Sequence, residues 1–325
     1  KISHPTYCSG PFDVIVHKLS DVIVEAEHDS QSQHLLANFQ SYVSTHPSTI
    51  LVDPLPAMSQ LLDRFTSYRI MNRLICSPPY LEIHSVDDLS SIQQAVITQT
   101  LSFPVVCKTR VAHGSLSHEM SLIFSADSLA DIHPPCVLQS FVNHGAVLHK
   151  IFVVGDRHYC VERPSLKNFP PGPCDRKTIF FNSHHVSKPE CSSDLTAMDE
   201  QMPHLLPPSS EAVAALVREL RVQLGMALFG VDVIINIHTH TLTVIDINIF
   251  PGYEGVPQFF PSLLAYIESL LDTNSSFITW LFIAFFCVLW FYFSVFIALW
   301  AFTGSPGNPA LSARIPSVHL GAYLL

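Results

Sequence analysis

The chain has little of what marks several common protein classes. Its 325 residues hold 17 Lys and Arg against 27 Asp and Glu. That balance argues against a nucleic-acid surface, although it leaves room for a local basic pocket holding a small anion. Eight cysteines are scattered at positions 8, 76, 107, 136, 160, 174, 191 and 287. None forms a C-x-x-C pair, so neither a zinc ribbon nor a dense disulfide frame is expected, and the pattern fits a reducing compartment. The 18 histidines are spread out, with no HExxH and no H-x-x-x-H. There is no internal repeat. The start, at Lys1, has no signal-peptide pattern and reads as an N-terminus cut short.

Charge is absent altogether from Phe277 to Phe302. As a helix this run would extend roughly 39 Å at ~1.5 Å per residue, enough to cross a hydrocarbon core of about 30 Å with tilt. One expectation is therefore a transmembrane helix at 277–302, making the membrane a partner of the chain, followed by a disordered tail at 303–325. The other is an alternative C-terminus that never acts as a span. No Lys or Arg lies between Arg221 and the run, while Arg314 follows it, so loop charge does not orient it.

What is present alternates strand and helix, an α/β (α+β) pattern. Strands are expected at Asp13–Val16 and Thr49–Val52, and helices at Ser30–Tyr42 and about Ala57–Phe65. A second unit begins near Ile75, with strands in FPVVCKTR and PPCVLQSFV. LHKIFVVGDRHYCVERP reads as a hairpin turning at Gly155-Asp156. Lys167–Pro208 is rich in Ser, Pro, Asn and His and reads as a long loop. Ser209–Gly225 is an amphipathic helix with a Ser start and a Gly stop.

Gly230–Asn236 and Leu242–Asn248 form a hairpin carrying Asp232, Asp246 and Asn248. The last two lie two apart, so they share a strand face. Two carboxylates and an amide oxygen suit a hard cation such as magnesium and are too sparse for a calcium cage. The alternative is a pair of solvated strand ends. Phe103–Met120 places Lys108 at the end of an apolar strand, followed by Arg110, His113, Gly114 and His118. Such a set suits a polyphosphate, or is an exposed polar loop. Gln139 and Lys150 bracket the following loop and strand. Arg163, Ser165, Lys167, Ser183, Ser187 and Lys188 put hydroxyls and cations where they could close over phosphates.

The ordered runs LQSFVNH, VERPSLKNF, FFNSHHVSKPE, GVDVII and VIDINIFPGYEGV resemble the inositol 1,3,4-trisphosphate 5/6-kinase (inositol-tetrakisphosphate 1-kinase) family of ATP-grasp enzymes. The likeness runs from about Asp13 to Leu271. It implies an incomplete N-terminal α/β domain at 1–66, a central ATP-grasp subdomain at 67–138 and a C-terminal one at 139–272. It implies a monomeric cytoplasmic kinase that uses ATP as co-substrate and two magnesium ions to phosphorylate inositol tris- and tetrakisphosphates. By match to the family, Arg64, Lys108, Gln139, Lys150, Ser165, Ser183 and Ser187 bind ATP. His118, Lys150, Asn248 and Gly252 meet the inositol phosphate. Asp232, Asp246 and Asn248 hold magnesium, and Lys108, Lys150 and Asp246 carry the catalysis. The family also has an earlier strand and helix bearing a substrate lysine, and a longer stretch around Tyr68–Ile75. A chain missing them could be a non-catalytic form that only binds nucleotide or inositol phosphate. Carboxylate–amine ligation, the third reading, fits a Lys- and His-rich pocket poorly.

Overall fold

A short parallel pair begins the fold. β1 (Val14–Val16) lies beside β2 (Ile50–Val52) in register Val14↔Ile50, joined through α1 (Ser20–Glu25) and α2 (Ser30–Thr45). The Asp29 carboxylate caps α2 by accepting from the Ser32 amide at 2.7 Å, the usual way of satisfying an orphan helix N–H. This computed structural model describes residues 11–74, 77–98, 101–198 and 205–273. Among them no helix is long and apolar enough to cross a membrane, and the run 277–302 lies outside the described residues, as does the 303–325 tail.

The helix expected over Ala57–Phe65 is two helices, α3 (Leu55–Leu62) and α4 (Arg64–Leu74). Asp63 between them is extended and bridges to Val111. Its Oδ1 accepts the Phe65 amide at 2.9 Å and its carboxylate pairs with Arg110 at 2.8 Å. A residue that caps the second helix cannot continue the first.

Two antiparallel sheets follow. The first has five strands in the order β3 (Tyr80–Ile83), β6 (Cys136–Ser140), β4 (Val105–Thr109), β5 (Glu119–Ile123) and β9 (Ile179–Asn182). α5 (Leu89–Ile97) covers one face, where Ile92 packs with Ile83, Val105, Ile123 and Leu138. The second sheet has the order β11 (Leu242–Ile249), β10 (Leu228–Ile235), β7 (Val147–Val154) and β8 (Arg157–Pro164). β7 and β8 form the expected hairpin at Gly155-Asp156. The segment read as a loop, Lys167–Pro208, supplies the edge strand β9 and the one-turn α6 (Ser183–Val186). Four residues at a sheet edge leave too little periodicity to be read from sequence.

α7 (Ser210–Leu224) starts at the Ser209 cap and ends at Gly225 in the left-handed region, φ 63°. Its apolar stripe Val213, Val217, Leu220 and Leu224 packs with Met58, Leu61, Phe65 and Met71 of α3 and α4 against Val231, Val233 and Val244 of the second sheet. Residues 259–271 are helical, and Phe259, Leu263, Tyr266 and Leu270 join a separate cluster with Val52, Phe152 and Val154. Asp53 ties the parallel pair to this cluster. Its buried carboxylate accepts from the Ala227 amide at 2.6 Å and the Leu228 amide at 3.0 Å.

Candidate active site

Strand register builds the centre of the site. In the antiparallel ladders, Asp232 of β10 lies opposite Lys150 of β7 on one side and Asp246 of β11 on the other. Residues directly opposite share a face, so the three form a row across three strands. Asn248 is two residues along β11, opposite Gly230. Gly230 packs closely here: a Cβ would lie 3.1 Å from the Pro251 ring, which turns back over the strand.

The five-stranded sheet contributes from the facing side. Lys108, at the end of β4, is 4% exposed. Its Nζ donates to the Ile245 carbonyl at 2.9 Å and stands 3.6 Å from Asp246 Oδ2. Arg64, at the start of α4, donates to the carbonyls of Thr109 (2.7 Å) and Ser117 (3.0 Å), and its guanidinium lies 3.8 Å from Asp246. Lys150 Nζ stands 3.4 Å from Asp232 Oδ2. Burial pushes the Asp246 carboxyl up, but Lys108 and Arg64, with help from the Ile247 amide and Lys150, outweigh it and hold the group below its ordinary range. The Lys108 ammonium is pushed down by burial, which Asp246 opposes. Both acids therefore carry cationic partners.

Two cavities meet at this row. The first, about 150 Å³, is lined by apolar Val106, Leu148 and Ile245 and by Gln139, Ser165, Ser183 and Lys108. Tyr68, fully buried, donates its hydroxyl to Gln139 Oε1 at 2.9 Å, and Lys108 Nζ sits 5.4 Å from its ring centre. Gln139 Nε2 and Arg64 Nε are buried without a protein partner, which leaves donors at this end. The second cavity is wider, about 600 Å³, and holds Lys18, His113, Arg163 and Lys188 beside Gly252 and Glu254. His118, Lys150, Ser187, Asp232 and Asn248 line both. Every residue that the family resemblance assigns to the site lines one cavity or both. Arg110 and Lys167, which the sequence also offered for phosphates, line neither. Arg110 is held by Asp63 and lies over the Phe65 ring, and the Lys167 amide donates to the Leu195 carbonyl.

Residues 70–269 match the inositol 1,3,4-trisphosphate 5/6-kinase ATP-grasp domain, and residues 2–58 match the pre-ATP-grasp domain of that kinase. The chain belongs to the inositol 1,3,4-trisphosphate 5/6-kinase family. It is 50% identical over 280 residues to inositol-tetrakisphosphate 1-kinase from Danio rerio and, at the same identity and length, to that from Xenopus laevis. Each match covers 83% of this chain and 70% of the relative. A rice relative, inositol-tetrakisphosphate 1-kinase 3 from Oryza sativa subsp. indica, is 35% identical over 277 residues, covering 82% and 72%. Solved structures resemble the chain more remotely. D-alanyl-alanine synthetase A from Vibrio cholerae is 13% identical, with a TM-score of 0.45 over 73% of this chain and 71% of that one. Likeness at that level says nothing of activity.

The two sheets and the cleft are thus those of an ATP-grasp member of this kinase family. Sequence reading missed Lys18, Tyr68, His144 and His184 as site residues. Lys18 had a signal: it follows β1 at the C-terminal end of a parallel strand, where α/β folds gather ligands. Tyr68 had none, because its partner Gln139 lies far along the chain.

Proposed function

We propose that the protein transfers the γ-phosphoryl group of ATP to a hydroxyl of an inositol tris- or tetrakisphosphate. The observation that carries this reading is the shared row Lys150–Asp232–Asp246 with Asn248, where a small, partly apolar cavity opens into a larger basic one. The small cavity takes the nucleotide, with its phosphates toward Lys108 and Lys150. The large one, within the usual range of small-molecule sites (~300–1,000 Å³), takes a polyanion through Lys18, His113, Arg163 and Lys188. Residues 67–138 and 139–272 act as the two subdomains that grip ATP, and 1–66 completes the inositol phosphate pocket through Lys18.

Phosphoryl transfer asks the protein mainly for alignment and charge neutralisation. Lys108 and Lys150 supply fixed positive charge where the phosphates must lie. The donor set fits magnesium: two carboxylates and an amide oxygen from one pair of strands. So few protein ligands leave coordination places for water and phosphate. Asp232, Asp246 and Asn248 would hold the two ions that the family resemblance implies. Magnesium, when bound, neutralises charge on the group in transfer. The side chains then orient the phosphates against the acceptor hydroxyl. Arg64 braces Asp246 while its Nη groups donate to the Thr109 and Ser117 carbonyls.

The test is transfer from ATP by the full chain with magnesium and a panel of inositol tris- and tetrakisphosphates, with Asp246→Asn as control. Product that disappears in the control supports the kinase. Inositol phosphate binding without product from the intact chain would make it a binding protein instead.

A further inference from the structure

The nucleotide cavity has a wall whose hydrogen-bonding polarity can be worked out. His144 is 3% exposed. Its Nδ1 lies 2.7 Å from the Val142 carbonyl oxygen, and its Nε2 lies 2.7 Å from Ser165 Oγ. A carbonyl only accepts, so Nδ1 carries a proton. Burial pushes the imidazole pKa down to about 4, the Val142 hydrogen bond opposing, so the ring is neutral near pH 7. Nε2 is therefore a bare acceptor, and the only proton available to that contact is the Ser165 hydroxyl's. Ser165 spends its single donor on His144 and keeps lone pairs for the cavity it lines.

The loops are clasped so that this arrangement is fixed. Asn143 and Phe169 exchange two hydrogen bonds, Nδ2 to the Phe169 carbonyl at 2.8 Å and the Phe169 amide to Oδ1 at 2.9 Å. Asn168 Oδ1 accepts from the amides of His144 (3.1 Å) and Gly145 (2.9 Å). The Ser165 amide donates to the Ala146 carbonyl at 2.8 Å.

We propose that His144 is a positioning residue that makes Ser165 Oγ an obligate acceptor on the nucleotide wall. The inference rests on the ATP reading above and sharpens it. An acceptor-only hydroxyl cannot serve phosphate oxygens, so Ser165 is not a phosphate ligand. It recognises a donor on the nucleoside: a ribose hydroxyl or the exocyclic amine of the base.

The experiment measures equilibrium binding of ATP, 2′-deoxy-ATP, 3′-deoxy-ATP and purine riboside triphosphate, which lacks the amine. The proteins are the intact chain, Ser165→Ala, His144→Leu and His144→Gln. The intact chain should bind one analogue roughly fivefold more weakly than ATP, the effect of one neutral hydrogen bond. Ser165→Ala should bind that analogue and ATP alike. His144→Leu frees the hydroxyl proton and should erode the preference, whereas His144→Gln, with an amide that can donate to Val142 and accept from Ser165, should retain it. If His144→Leu does not fold, the Ser165→Ala comparison and the glutamine variant decide. Equal binding of ATP and all three analogues by the intact chain overturns the proposal, as does a uniform loss across ligands in Ser165→Ala. No ATP binding by the intact chain overturns the kinase reading itself, and this inference with it.

Discussion

The two ends of the cleft solve opposite problems. At the end proposed for the nucleotide the polar groups are buried and already bonded to one another: Tyr68 to Gln139, His144 to Ser165, Lys108 to Ile245 and Asp246. At the other end Lys18, Arg163 and Lys188 stand around a wider cavity, where His113 Nε2 meets Asp21 at 2.5 Å and Arg163 donates to the Glu254 carbonyl at 2.8 Å. A preorganised wall reads one ligand by hydrogen-bond polarity, because a buried group left unpaired is costly. A wide basic basin, on the proposed reading, reads charge, which tolerates several arrangements of phosphate on a ring. On the proposed reading, the row shared by both is the seat of chemistry.

The largest effect expected from breaking this division is at the row. Asp246→Asn removes the charge that both Lys108 and Arg64 face, and should lower kcat roughly 10²–10³-fold, read by product formation at saturating substrates. Next is the basin. Lys18→Ala or Lys188→Ala should raise KM for inositol phosphate roughly tenfold while leaving KM for ATP within twofold or so. Added salt should shrink the difference, because these charges are screened. Equal changes in both KM values would erase the division.

The preorganised end should respond to a single oxygen. Tyr68→Phe leaves Gln139 Oε1 buried without its donor and should cost roughly 1–2 kcal/mol. The loss should appear in thermal stability and in KM for ATP, with KM for inositol phosphate unmoved.

Asp53 gives a test by pH, outside the cleft. Burial raises its pKa from 3.8 to about 6, against the Ala227 and Leu228 amides that pull it down. A carboxyl whose folded pKa is raised favours the folded state most below its unfolded pKa. That contribution is lost as pH rises through about 6. Relative to Asp53→Asn, the intact chain should therefore lose Tm between pH 4 and pH 7. A difference that stays flat across that window would show that the carboxyl does not titrate there.

The second sheet was the more legible part of the chain. β10 and β11 are long and apolar, so period-two reading placed Asp246 and Asn248 on one face with Asp232 on the neighbouring strand, and the register sets Asp232 opposite Asp246 just before a register shift at Val233. The hairpin β7–β8 was legible for the same reason. What escaped was set by contacts distant in sequence. Asp63 splits α3 from α4 because Arg110 and Val111 hold it extended. β9 exists because β5 offers an edge for Ile179–Asn182. Tyr68, His144 and His184 join the site only when separate segments meet. Arg110 looked like a phosphate ligand by its neighbours in sequence, yet a carboxylate from another segment claims it.

The most direct measurement compares Asp246→Asn with the intact full chain, following both inositol phosphate binding and phosphoryl transfer from ATP in the presence of magnesium. The account predicts that the variant still binds inositol phosphate within about threefold of the intact chain, less than 1.4 kcal/mol and so less than tenfold, while transfer is lost. Transfer at the intact rate, or inositol phosphate binding that collapses with it, would contradict the assignment of this row as the seat of chemistry between two separable binding ends.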